Sequence, residues 1–156
     1  MKSLTLFRHA KTERDSTTGR DFDRQLAERG ELDAARMGEE LRKLGAKFDL
    51  ILSSPAVRAS QTAELAGLAP RFDERIYDAS SGQLLAIVQE QDGSTDRVMM
   101  VGHNPGFERL ASRLIGEEIE MPTGSLLEVG LPIDRWRDAG SAEGRRVRFL
   151  KPKQLG

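Results

Sequence analysis

Arg97-Val98-Met99-Met100-Val101-Gly102-His103-Asn104-Pro105-Gly106 is the stretch on which the fold turns. A short apolar run stops abruptly at glycine, histidine, asparagine and proline, the pattern of a buried strand emptying into a loop. Two other stretches repeat it. Leu4 to Phe7 stops at Arg8-His9, and Asp49-Leu50-Ile51-Leu52 stops at Ser53-Ser54-Pro55.

Helical patterns lie between these runs. Ala34, Met37, Leu41 and Leu44 recur at helical spacing and end at Gly45, a residue suited to a C-terminal cap. Ala56 to Leu65, Gln83 to Gln89 and Phe107 to Ile115 also read as helices. Strands alternating with helices of this length need crossover connections, which predicts an α/β class: a mostly parallel sheet with helices on both faces, in three layers. Ser125 to Leu131 and Arg146 to Leu150 read as a late antiparallel pair, with Asp138 to Gly144 as an exposed turn. Lys11 to Arg24 is polar and without period, and is expected to be a mobile loop beside the first strand, with closure over a ligand left open by the sequence.

The 156 residues fit one domain spanning 1–156, with no repeat or linker. With 24 basic and 25 acidic residues the net charge is −1, so no global field draws in nucleic acid or an anionic membrane. The absence of cysteine excludes a thiol nucleophile and a thiolate zinc site, and suits a reducing compartment. The first seven residues turn polar at Arg8, too soon for a signal-peptide core, so a soluble, cytoplasmic protein is expected, with a monomer as one of the oligomeric states the sequence leaves open.

In open α/β sheets ligands bind beyond the carboxyl ends of the strands. Arg8 and His9 follow the first predicted strand. Ser54 with Pro55 reads as a helix cap that sets Arg58 on an opening turn after the second, and His103 precedes a similar Asn104-Pro105 start after the third. Helix amino termini favour anions, and guanidiniums match phosphate oxygens with forked donors. The chain's two histidines both fall at these strand ends, and neutral imidazole is available near pH 7 as a nucleophile. The expected assembly holds a phosphoryl group between Arg8, Arg58, Asn104 and backbone amides, with one imidazole attacking phosphorus and the other donating to an equatorial oxygen, and with no metal or cofactor. Each residue alone has an ordinary structural reading, as a packed histidine, a turn or a solvated helix arginine; it is their coincidence at three strand ends that points to chemistry.

Together these residues resemble the histidine phosphatase superfamily, with Arg8-His9-Ala10 in place of its Arg-His-Gly. Ser53 to Ala63 is similar to the superfamily's second block and Val101 to Gly106 to its last. Arg8 to Lys11, Asp21 to Leu26 with Arg29-Gly30, Ile76 to Ser80, Met121 to Gly124 and Trp136 resemble the short, SixA-type phosphohistidine phosphatases. The resemblance implies a phosphoglycerate mutase-like fold, His9 as phosphoryl acceptor, and Arg8, Arg58 and His103 as the groups that hold the phosphate. It implies a phosphorylated protein as partner, such as a histidine-containing phosphotransfer domain. The alternative substrate is a small phosphomonoester, with Asp78 or Glu74 as general acid, and a noncatalytic phospho-binding module is the third reading. Because the imidazole of phosphohistidine leaves readily once protonated, a poor acid favours phosphohistidine over an ester.

Overall fold

A computed structural model describes residues 1–155. The chain runs β1 (Lys2–Arg8), α1 (Glu28–Lys43), β2 (Leu50–Ser53), α2 (Val57–Leu65), β3 (Arg71–Phe72), α3 (Ser81–Gln89), β4 (Arg97–Gly102), α4 (Gly106–Ile115), β5 (Leu126–Leu131) and β6 (Arg145–Leu150), with short 3-10 turns between. The strands form one sheet in the order β3-β2-β4-β1-β5-β6. Neighbours are parallel from β3 to β1, and β5 runs antiparallel to both β1 and β6, which is the mixed α/β sheet that the alternation predicts.

Period two along the strands sorts the core into two layers. Leu4, Leu6, Leu52, Val98 and Met100 face α3, α4 and the buried Trp136. Phe7, Met99 and Val101 face α1 and α2, meeting Met37, Leu41, Ala59 and Ala63. α1 comes close enough to α2 that a Cβ on Gly38 would lie 2.3 Å from the Ala66 carbonyl oxygen, so this crossing needs glycine for space. Gly45, at φ 66°, supplies the left-handed residue just past α1. Leu44 departs from its helical stripe: it is the C-cap and 42% exposed, because the helix has ended before its side chain can turn inward.

The structure corrects four local readings. Ser54-Pro55 does not start α2; Ala56 is its N-cap, and the Ser54 hydroxyl instead accepts from the Ala56 N–H at 3.2 Å. α4 likewise starts one residue later than the Asn104-Pro105 pattern predicts, with Pro105 as N-cap. The Asp138 to Gly144 stretch is not a plain exposed turn. Trp136–Ser141 forms a 3-10 helix that buries Trp136 and Ala139, and the indole N–H donates to the Thr95 carbonyl at 2.6 Å. Lys11 to Arg24 is tied down at both ends: Glu13 N donates to Gln25 O, Ala27 N donates to Lys11 O, and Asp21–Asp23 forms a 3-10 turn. No helix among the described residues is long and apolar enough to cross a membrane.

Candidate active site

The carboxyl ends of β1, β2 and β4 lie side by side, and backbone bonds fix the residues just beyond them. Arg8 pairs in register with Gly102, the His9 N–H donates to the Gly102 carbonyl at 3.0 Å, and the Gly124 N–H donates to the His9 carbonyl at 2.8 Å. The Ala10 N–H donates at 3.1 Å to the Thr62 hydroxyl, which donates in turn at 2.7 Å to the Arg58 carbonyl. Thr62 therefore locks the turn carrying His9 to the helix carrying Arg58. Ala10 has no positive φ and is fully buried beside Leu26 and Ala34, so the side chain that replaces glycine is accommodated.

The two imidazoles meet, with ring centroids 5.3 Å apart and planes tilted by 54°. Nδ1 of His9 lies 2.8 Å from the Ala10 carbonyl oxygen. A carbonyl can only accept, so Nδ1 carries the proton and Nε2 keeps its lone pair. His103 is held the other way round, with Nε2 at 2.8 Å from the Ser54 hydroxyl. That hydroxyl already accepts from Ala56, so its own proton is directed to Nε2, which leaves the hydrogen of His103 on Nδ1, where no partner meets it among the described residues. Both rings are 8% exposed. Burial, reinforced by Arg58 and Arg8, lowers His9 to about 4, although its bond to Ala10 works against this. Burial, then His9 and Arg58, lowers His103 to about 3. Both are neutral at pH 7.

Arg8 and Arg58 flank the pair. Arg8 donates through Nη1 to the Met121 carbonyl at 2.7 Å, while its Nε is buried with no partner among the described residues, as is Nδ1 of His103. Arg58 donates to the Asp21 carbonyl at 2.8 Å and to an Asp21 carboxylate oxygen at 2.9 Å. Those bonds use two of five guanidinium hydrogens, so three remain for a ligand. Asn104 departs from its expected role: its amide donates to Glu108 at 2.6 Å and to Met121 at 3.0 Å, and its oxygen accepts from the Glu108 N–H at 3.3 Å. It braces the carbonyl that anchors Arg8 instead of presenting donors to the crevice.

The histidine phosphatase superfamily (branch 1) model matches residues 4–95, more than half of the chain.

The chain belongs to the histidine phosphatase superfamily.

An uncharacterised chloroplastic protein of Arabidopsis thaliana is 33% identical over 92% of this chain and 72% of its own. An uncharacterised protein of Picosynechococcus sp. is 33% identical over 97% of this chain and 98% of its own. Among solved structures, a candidate phosphohistidine phosphatase SixA from Agrobacterium tumefaciens superposes with a TM-score of 0.83 at 29% identity, covering 97% of this chain and 98% of that one. The protein histidine phosphatase SixA solved with tungstate shares the fold at TM-score 0.84 and 21% identity, covering 99% of each chain. These matches set the chain in the SixA-type branch, with the phosphoglycerate mutase-like fold.

In this histidine phosphatase the carboxylates lie elsewhere than the sequence suggests. Glu74 is exposed in a 3-10 turn, Asp78 is exposed at φ 55°, and neither hydrogen-bonds to His9, His103, Arg8 or Arg58. The carboxylates joined to the site are Glu108, through Asn104, and Asp21. Asp21 accepts from Arg58, from the Tyr77 hydroxyl at 2.8 Å and from Arg24 at 3.1 Å. Desolvation would raise Asp21, but the hydrogen bonds from Tyr77, Arg24 and Arg58 outweigh it and hold the carboxyl at about 2. Sequence reasoning gives no functional role to Asp21, Ser54, Thr62 or Tyr77. Asp21 lies 37 positions from Arg58 and 56 from Tyr77, so no local pattern signals those contacts.

Proposed function

We propose that this phosphatase dephosphorylates phosphohistidine in a protein such as a histidine-containing phosphotransfer domain, through a covalent intermediate on His9. Nε2 of His9 attacks phosphorus, while Arg8, Arg58 and the Nδ1–H of His103 hold the equatorial oxygens. The charge work falls to guanidiniums and hydrogen bonds, and a metal is not required. The P–N bond breaks with its electron pair on the leaving imidazole nitrogen. His9 then carries phosphate on Nε2 and a proton on Nδ1, the cationic form that hydrolyses readily. Water takes the phosphoryl group and returns neutral His9. The same reading takes the protein as a cytoplasmic monomer with one domain over 1–156.

The observation that carries this reading is a pair of buried donors, Nε of Arg8 and Nδ1 of His103, that find no acceptor among the described residues. Buried donors are nearly always satisfied, and an unpaired one costs about 1–3 kcal/mol. A tetrahedral anion in front of Nε2 of His9 would satisfy both. Exposed, unattached Glu74 and Asp78 favour a substrate whose leaving group needs no protein acid.

The test is phosphate release from a phosphorylated histidine-containing phosphotransfer domain with chelator present, alongside a panel of phosphate esters. The expected result is fast release from the phosphodomain and an acid-labile phosphoenzyme that His9→Ala abolishes. Rapid ester turnover with an inert phosphodomain would overturn the substrate, and turnover without a phosphoenzyme would overturn the mechanism.

A further inference from the structure

Resting on the phosphohistidine reading, we propose that Asp21, Phe22 and Tyr77 form the leaving-group subsite, and that the Asp21 carboxylate selects a protonated phosphoimidazole over a phosphate ester. The aromatic rings mark a graded path. From the buried His103 ring, Tyr77 comes next, edge-on at 5.6 Å between centroids, and then Phe22, edge-on to Tyr77 at 5.1 Å. These rings lead outward from the phosphate-holding groups to half-buried Phe22, a wall along which a flat ring can lie. Asp21 stands on the same path. Arg58, which it grips, is 8% exposed, whereas its own side chain is 52% exposed, so one edge of the carboxylate faces the way out.

The charge balance supports the same role. A carboxylate beside a phosphate-binding guanidinium weakens attraction for a dianion, a cost for any phosphatase. If Asp21 were a general acid for esters, the gain would be a proton for the leaving oxygen. Arg58 of α2, Tyr77 and Arg24 all face it with positive charge or O–H donors, and Arg20 and Asp23 lie on its own segment, so it holds no proton near neutral pH. An alkoxide leaving from an ester would go unprotonated. A phosphoimidazole protonated at its free nitrogen needs no proton delivered: its N–H donates to Asp21, phosphorus passes to Nε2 of His9, the P–N electron pair stays on the departing nitrogen, and neutral imidazole leaves. Three of about four carboxylate lone-pair positions are occupied by Tyr77, Arg58 and Arg24, leaving room for that N–H.

The test compares kcat/KM of wild type and Asp21→Asn on a phosphohistidine peptide and on p-nitrophenyl phosphate, whose leaving group needs no acid, across pH 5 to 9. Loss of the Arg58 brace lowers both rates. The subsite predicts that the phosphohistidine rate falls at least about tenfold further than the ester rate. It also predicts that the alkaline limb of kcat for phosphohistidine, read from the same saturation curves and reporting the bound ring, moves down by about one pH unit, because an opposite charge within a few ångströms raises the bound ring's pKa by about that much or more. Equal losses on both substrates with an unmoved limb would reduce Asp21 to a support for Arg58 and overturn the subsite. Wild-type failure on the phosphohistidine peptide would instead overturn the function on which the subsite rests.

Discussion

His9 and His103 face each other across 5.3 Å as the same Nδ1–H tautomer held from opposite ends of the ring, His9 through Nδ1 by the Ala10 carbonyl and His103 through Nε2 by the Ser54 hydroxyl. One ring thus turns a lone pair toward the crevice and the other turns an N–H. Two histidines of one type acquire two roles from one backbone acceptor and one side-chain donor.

Replacing them should separate those roles. His9→Ala is expected to abolish the phosphoenzyme and cut turnover by at least about a thousandfold, the scale of losing a nucleophile. His103→Ala should still form the phosphoenzyme, with kcat lower by about a hundred- to a thousandfold, as for one lost transition-state donor. Rapid-quench labelling distinguishes the two outcomes.

Ser54→Ala removes the hydroxyl that fixes the His103 tautomer and leaves the ring packed in place. By analogy with other groups that orient a working imidazole, kcat should fall about ten- to a hundredfold. The phosphoenzyme should remain detectable, and stability should fall by about 1–3 kcal/mol because the buried Ala56 N–H and Nε2 of His103 lose their partner, as steady-state kinetics and thermal denaturation would report.

Stability should decline on acidification over a defined window. In the unfolded chain both histidines protonate near pH 6.5, whereas burial holds His9 at about 4 and His103 at about 3 in the native state. Between these limits the unfolded state binds more protons, so stability rises with pH. It is fully present above about pH 6.5 and each ring removes up to about 1.4 kcal/mol per unit as pH falls toward 4. Asp21, at about 2, is lost only below this window. Urea unfolding at pH 7, 6 and 5 should show the slope, and His9→Gln with His103→Gln should flatten it.

Gly38→Ala offers a test with opposing signs. Helix propensity alone predicts a gain of about 1 kcal/mol. The added methyl, however, would lie 2.3 Å from a backbone oxygen at Ala66, which no side-chain motion relieves. A net loss of about 2 kcal/mol or more is expected from chemical denaturation. Gly30→Ala places a methyl 2.0 Å from the Lys11 carbonyl, two residues beyond His9, and should depress activity as well.

Much of the fold was legible because its signals are local. Leu4 to Phe7, the run from Asp49 to Leu52 from its second residue on, and Arg97 to Val101 each fall on strands, and the α1 stripe through Ala34, Met37 and Leu41 is buried. The two-residue β3 was missed, since Arg71-Phe72 is too short to show a period and both residues are exposed. Ser54 and Asn104 looked like caps because their residue types suit that job, but packing gave their side chains partners in His103 and Glu108.

The sequence by itself determined an α/β chain in which two histidines and two arginines lie at strand ends and a helix start, because periodicity and chain reversal are governed by residues a few positions apart. Tertiary structure alone decided which carboxylate joins them, which nitrogen of each histidine is free and that Asn104 turns inward. Those outcomes depend on contacts such as Asp21 with Arg58 and Ser54 with His103, 37 and 49 positions apart, which exist only once the strands have taken their order in the sheet.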